Sequence, residues 1–371
     1  MIAKAVTPFC LIIKTVKTPA FILAVASLAT PFAAWAQTLP TGARYWAASG
    51  RFVGSAQCAS CHPAEAAKYR SNSMSNALEP VDKCANLRGD IHLAFQKGPY
   101  SYSITRQGNQ VIYKVSSGAQ VFSAPLEYAF GQGKAGQTYL YSIEGHYYES
   151  RVSYYAETRN LDLTVGAINS SPANLISAAG RIMEGNEPRE CFGCHTTGAR
   201  IGATLQLTNY EAGVQCESCH GAGGAHVDAI ASGLPVAGTI RALKSMGPQQ
   251  SNEFCGTCHR TWQTVMMMGI RGINTARFPA YRLTGSPCFS LDDPRISCTA
   301  CHDPHGSLVA DDKYYDAKCQ ACHNPSGQKV CRVGKGACTS CHMQRVSPAE
   351  AHHAFPDHWF RIVKSKDDYP E

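Results

Sequence analysis

The chain has 371 residues, enough for two medium-sized domains, with 34 basic and 27 acidic side chains and a formal charge of +7. Its 18 cysteines exceed what packing needs in an ordinary enzyme of this length, so cysteine is the residue to follow. The basic balance is not a nucleic-acid signature, because Lys4, Lys14 and Lys17 lie in a segment expected to be removed, which leaves +4.

That segment opens the chain. The three lysines precede an apolar run from Phe21 to Ala34 that ends in Ala34-Trp35-Ala36. Residues 1–36 therefore read as a secretory signal peptide with an A-x-A cleavage site, and the mature chain is expected to begin at Gln37. Thr30-Pro31 interrupts the run, whose apolar part is short for an anchor, and no later stretch approaches the length of a bilayer span. The expected mature protein is exported, periplasmic or extracellular, and has no membrane span. Cys10 precedes the apolar run, is poorly placed for a lipid anchor, and would be discarded with the signal.

Residues 37–87 form an N-terminal segment with one C-x-x-C-H motif, Cys58-Ala-Ser-Cys61-His62, followed by Met74 in SNSMSNAL and by Cys84. Residues 88–165 lack the motif and read as strands: Tyr100 to Arg106, a QGNQ turn, Val111 to Ser117, Gln120 to Tyr128, Gln137 to Glu144, and Tyr147 to Thr158. Alternation and Tyr/Val/Thr content predict an antiparallel β module with its own core. Within it GQGKAG fits G-x-G-x-x-G, but a strand pattern follows where a dinucleotide site needs a helix, so it reads as a glycine loop. Residues 166–371 then carry six more motifs, beginning at Cys191, Cys216, Cys255, Cys298, Cys319 and Cys338.

The spacing has a chemical reason. In C-x-x-C-H the two thiols add across the two vinyl groups of one porphyrin, and the histidine after the second thiol binds its iron. Chance placement of these residue types gives roughly 0.03 such motifs in a chain of this composition, against seven observed. Zinc ribbons and redox dithiols also use C-x-x-C, but neither explains a histidine after every pair. The expected cofactor is haem c, covalent and sevenfold. It would be attached through Cys58, Cys61, Cys191, Cys194, Cys216, Cys219, Cys255, Cys258, Cys298, Cys301, Cys319, Cys322, Cys338 and Cys341, with His62, His195, His220, His259, His302, His323 and His342 as proximal ligands. Seven haems bring on the order of −14 from their propionates, so the holoprotein would be acidic.

Seven histidines stand outside the motifs: His92, His146, His226, His305, His352, His353 and His358. The match in number allows bis-histidine ligation throughout. His226, in CHGAGGAH, and His305, in CHDPH, follow their motifs on short tethers that would present them to a neighbouring haem. His358 and one of His352/His353 are further candidates, as are His146 and His92 in the β module. Met74 is a candidate thioether ligand, whereas Met266 to Met268 and Met343 read as packing residues. Of the cysteines left over, Cys288 and Cys331 are expected to pair, and Cys84 to be buried.

Six motifs fit between Cys191 and His342, leaving little sequence for an ordinary side-chain core, so haems are expected to form the interior. The fold class expected is mixed α plus β, a haem-dense, loop-rich multihaem cytochrome fold with short helices starting at or near each motif and an inserted antiparallel β module. FVGSAQCASCHPAE resembles the opening haem segment of the cytochrome c-552/4 family, typified by the tetrahaem cytochrome c-554. GVQCESCHGAGGAH, ISCTACHDPHG and ACTSCHMQ resemble segments of larger multihaem cytochromes related to it. The resemblance implies haem attachment at the motifs, axial roles for His226 and His305, and electron transfer between redox partner proteins, a donor and an acceptor, with no nucleic acid involved. Met74 departs from it, since a histidine would be expected in that stretch. The alternative is a multihaem oxidoreductase with one open-site haem acting on a small nitrogen or sulfur species.

Overall fold

The computed structural model describes residues 50–291, 293, 295–323, 331, 336–349, 351–363, 367 and 369; the expected signal peptide and cleavage site lie outside them. The β-rich stretch supplies strands β1 (Leu78–Pro80), β2 (His92–Lys97), β3 (Tyr100–Gln107), β4 (Gln110–Ser117), β5 (Gln120–Pro125), β6 (Tyr128–Phe130), β7 (Gln137–Ile143), β8 (His146–Tyr155), β9 (Asn160–Leu163) and β10 (Gly180–Ile182). β2 to β5 form a four-stranded antiparallel meander, and a second antiparallel sheet has the order β1-β6-β7-β8-β10, with β9 also on β8. This second sheet thus takes strands from 78–80 and 180–182, outside 88–165. The expected strand from Gln120 to Tyr128 is two strands in different sheets. Pro125, which has no N–H to give to a ladder, ends the first, and the chain crosses between sheets at Leu126 and Glu127.

Short turns set the register. Gly108 (φ 60°) lies in the two-residue connection between β3 and β4, and Glu144 and Gly145 (φ 51° and 80°) make the two-residue turn between β7 and β8. The two sheets pack face to face through Tyr102, Ile104, Val111, Tyr113 and Val115 on one side and Tyr139, Tyr141, Val152 and Leu161 on the other. In β7 successive residues point to opposite faces, and Leu140 joins a second cluster with Leu78, Met183 and Phe192. Buried on both faces, β7 lacks the polar alternation of a solvated strand. The GQGKAG loop links β6 to β7 with no helix after it, and a Cβ at Gly133 would meet the Tyr154 ring at 2.7 Å.

Helices are short: α1 (Ser55–Cys61), α2 (Pro63–Tyr69), α3 (Leu175–Ala179), α4 (Glu187–His195), α5 (Cys216–His220), α6 (Gly224–Ala231), α7 (Pro248–His259), α8 (Trp262–Met268), α9 (Pro279–Thr284), α10 (Cys298–Cys301), α11 (Asp312–Gln320) and α12 (Cys338–His342). Of the helices expected to start at or near each motif, α5, α10 and α12 start on theirs and α1 just ahead, whereas α4 and α7 end on theirs and α11 ends within its own. A proline at N1 or N2 sets the start of α4 and α7, and the motif supplies the last turn. Side-chain cores are large in the sandwich and small among the motifs, where one cluster consists of Val265, Phe278 and Tyr281 with Met266 packed on it.

Candidate cofactor-attachment sites

A helical turn brings residues three apart onto one face, so each C-x-x-C within a helix presents both thiols on the same side with the histidine close behind. This holds for α1, α4, α5, α7, α10 and α12; at the sixth motif Cys319 is in α11 and Cys322 and His323 follow in the next turn. The thiols differ among themselves: hydrogen bonds from Cys258 and Cys255 lower the pKa of Cys194 and Cys298. Burial pushes Cys191 up to about 12 and Cys219 and Cys319 up to about 11, away from the lowered values that thiol exchange uses. Among the described residues no group of three or more His, Cys, Asp or Glu side chains is arranged to hold a metal ion.

The imidazoles are oriented for ligation. A carbonyl only accepts, so Nδ1–H of His195 donates to Ala77 (2.8 Å), of His220 to Arg241 (3.2 Å) and of His358 to Pro356 (3.0 Å). Each bond fixes the tautomer that leaves the Nε2 lone pair for a metal. Burial lowers the pKa of His195, His220, His259 and His302 and pushes His358 down to about 4, which keeps the rings in the neutral, ligating form. His259 keeps an exposed surface.

Two histidine pairs carry the fit test. The rings of His220 and His305 are centred 6.1 Å apart with planes 20° from parallel, and those of His302 and His358 are also 6.1 Å apart, at 36°. Two imidazoles on opposite faces of one metal ion, each nitrogen about 2 Å from it, have ring centres about 6 Å apart. Each pair has the ring-centre spacing that two imidazoles on one haem iron would show. His305 is held in place from a distance: Asn72, 5 % exposed, donates through Nδ2 to the carbonyls of Pro304 (2.9 Å) and Gly306 (2.6 Å), and Lys68 pairs with Asp303.

The other candidates lie as follows. His226 is on α6 with Nδ1 3.2 Å from Thr239 Oγ1. His353 is half-buried with its ring against Phe355, and burial lowers its pKa. His352 turns Nε2 to Asp162 Oδ2 (2.9 Å) and packs on Tyr155, so its ligating nitrogen is engaged with the sandwich. His92 is exposed on β2, an edge strand, and His146 is exposed at the β7–β8 turn. Strand alternation puts His146 on the face opposite Tyr147, whose ring packs on Phe192 of the second motif. Met74 sits in a turn whose carbonyl accepts from Val214 (2.9 Å), wedged beside the third motif instead of trailing the first. The close approach needs Gly213 (φ 76°), since a Cβ there would lie 1.9 Å from the Ser75 carbonyl oxygen.

Two expectations are corrected. Met266 packs in the core, but Met267 is 88 % exposed and Met268 is also exposed, because the helix turns them away from Val265 and Phe278. Cys288 is a free, exposed thiol without the expected bond to Cys331, although both lie beside the Cys319/Cys338 neighbourhood. Cys84 is fully buried, as expected.

Three acids missed in the sequence hold the sites in place. Glu217, inside the third motif and 3 % exposed, accepts the N–H groups of Val53 (2.9 Å), Gly54 (2.8 Å) and Gly223 (2.7 Å). Glu211 accepts from Ser55 at the start of α1 (2.9 Å). Asp357, fully buried next to His358, makes a two-pronged pair with buried Arg282, both bonds 2.9 Å, and Arg282 also lies 4.6 Å from the Trp359 ring. No local pattern distinguishes these from solvated charges; only their burial does.

Residues 164–221, which span the second and third motifs, match the cytochrome c554 and c-prime family. The fold as a whole is similar to the crystal structure of the outer cell wall cytochrome OcwA, with 14 % identity, a TM-score of 0.52, and coverage of 84 % of this chain and 80 % of that one. The fold of this chain is that of a multihaem c-type cytochrome. No curated protein matches its sequence. The family match and the structural neighbour support covalently bound haem c and electron exchange with redox partners, and the chain's mixed α plus β fold is that of a multihaem cytochrome. No helix among its described residues is long and apolar enough to cross a membrane.

Proposed function

We propose that the cytochrome is a periplasmic or extracellular heptahaem electron carrier whose haems are mostly ligated by two histidines. The seven motifs would each hold one haem through two thioethers and a proximal histidine, and the haems supply reversible one-electron chemistry. The spacing of the His220/His305 and His302/His358 pairs carries the reading, because a filled sixth position favours electron transfer over chemistry on a bound molecule. Export is supported by the apolar N-terminus with its A-x-A site and by the outer-cell-wall setting in the name of the structural neighbour. The test has two parts. Intact mass should give seven covalent haems, and fewer than six would mean that some motifs are structural. Low-temperature magnetic resonance of the oxidised protein should be dominated by low-spin iron, and a mostly high-spin spectrum would end the bis-histidine reading.

A second reading is favoured by where three spare histidines stand. His92 and His146 are exposed on the sandwich and His352 is engaged by Asp162, which leaves His226, His305, His353 and His358 for seven haems within one chain. Haems without a second histidine would have an open or weakly held position, as an oxidoreductase acting on a small nitrogen or sulfur species requires. Carbon monoxide binding to the reduced protein separates the readings: tight binding at one or more haems per chain favours the enzyme, and no spectral change the carrier.

A further inference from the structure

The attachment sites touch one another in an order that is not their order in the sequence. α1, with the first motif, packs on α5, which is the third, and Cys58 meets Cys216 side chain to side chain. Glu211 and Glu217 fasten that contact through the amides of residues 53–55. The second motif meets the fourth, where Cys194 Sγ lies 3.8 Å from the Thr257 carbonyl and Cys194 contacts Cys258. α7, ending in the fourth motif, packs against α10, the fifth, with Cys255 touching Cys298. The third reaches this junction through Cys219, close to Cys255 and Cys258, and through His220, which faces His305 of the fifth motif's tether. α10 then packs on α11 and α11 on α12. There Asp316, 6 % exposed, accepts Thr339 N–H (2.8 Å) and Cys319 contacts Cys338.

Each thiol marks the edge of the haem it would carry, so thiols in contact place two haem edges together. We propose that the haems form a conductor in the order first, third, fourth, fifth, sixth, seventh, with the second haem a side branch on the fourth. This rests on the electron-carrier reading. Electrons enter and leave at the two ends. The first motif stands at one end of this series of contacts and the seventh at the other. The second haem is closed to partners: Phe192 is fully buried beneath Tyr128 and Tyr147, and His195 is covered by Phe130. It can therefore hold charge without standing in the path.

The test feeds electrons in at the first haem. In a background with Cys288→Ser and Cys331→Ser, exposed Glu65→Cys on α2 tethers the holoprotein to a gold electrode, and absorbance follows haem reduction after a potential step. All haems of the parent should reduce in one fast phase. Cys191→Ala/Cys194→Ala, which removes the second haem, should leave every remaining haem in that phase. Cys298→Ala/Cys301→Ala, which removes the fifth, should drop the sixth and seventh haems out of it and keep the first four. Loss of all but the first haem from the fast phase in the Cys191→Ala/Cys194→Ala variant would overturn the order, as would an unbroken fast phase without the fifth. If the parent itself reduces at the tethered haem alone, the carrier reading fails and not the order. Should either variant not mature, haem methyl resonances of the parent during stepwise reduction decide. Reducing the second haem should shift the fourth more than the first or third, and the reverse pattern would overturn the proposal.

Discussion

Glu217→Ala tests whether one buried carboxylate docks the N-terminal segment onto the rest of the molecule. The side chain is 3 % exposed and accepts three backbone N–H groups at 2.7 to 2.9 Å, two of them from the segment entering α1. A hydrogen bond to a charged group contributes about 1.5–3 kcal/mol, and the three share one acceptor and are not additive. Because Val53 and Gly54 are only part-buried and can regain water, the expected cost is about 3 kcal/mol. Most of it should appear as local opening, since residues 51–62 can detach without unfolding the sandwich. Native-state hydrogen exchange at Val53, Gly54 and Gly223 reads the opening directly, and urea unfolding reads the remainder. Glu217→Gln should lose much of the same energy, because its NH2 faces donors. If the three amides in Glu217→Ala stay as protected as in the parent, the dock is made by other contacts and the argument from the carboxylate is wrong.

Arg282→Met should cost about 1.5–3 kcal/mol in urea unfolding, since Asp357 keeps its pair with Arg361 and the Trp359 N–H, and Arg282→Met/Asp357→Asn should recover part of that loss. Because Asp357 adjoins His358, the single variant is also expected to turn one low-spin haem high-spin; an unchanged spin state would separate the ion pair from the histidine. His305→Ala should convert one haem to high spin without loss of covalent haem, since attachment depends on the thiols, and a parental spectrum would remove His305 as a ligand. Glu187 is held below the usual carboxylate range by its hydrogen bonds from Arg181, so this pair's contribution is present above the unfolded value and fades as pH falls through the folded one. Arg181 also serves Glu149, whose carboxyl burial pushes up. Arg181→Met should therefore lower stability by about 0.2–1 kcal/mol near neutral pH, with the difference from the parent vanishing in acid. A difference that persists there would assign the loss to packing by the arginine stem.

The chemistry was legible in the sequence because it is local. One helical turn brings Cys191, Cys194 and His195 together whatever the rest of the chain does, so the motif points to a cofactor and a ligand without any long-range contact. The strands were legible for the same reason, through side-chain alternation and two-residue turns. Contacts between distant segments were not legible. His305 is three residues from His302 in sequence yet faces His220, because Asn72 and Lys68 hold its loop across the first motif. His352 and His353 are neighbours that meet different surroundings, one bound to Asp162 and the other against Phe355. Seven spare histidines looked interchangeable as letters, and only the fold separated those facing a proximal histidine from those left on the sandwich. Spacing along the chain fixes chemistry within one turn of helix, whereas the order of the sites depends on helix packing and on buried carboxylates such as Glu217, whose partner Val53 lies 164 residues away.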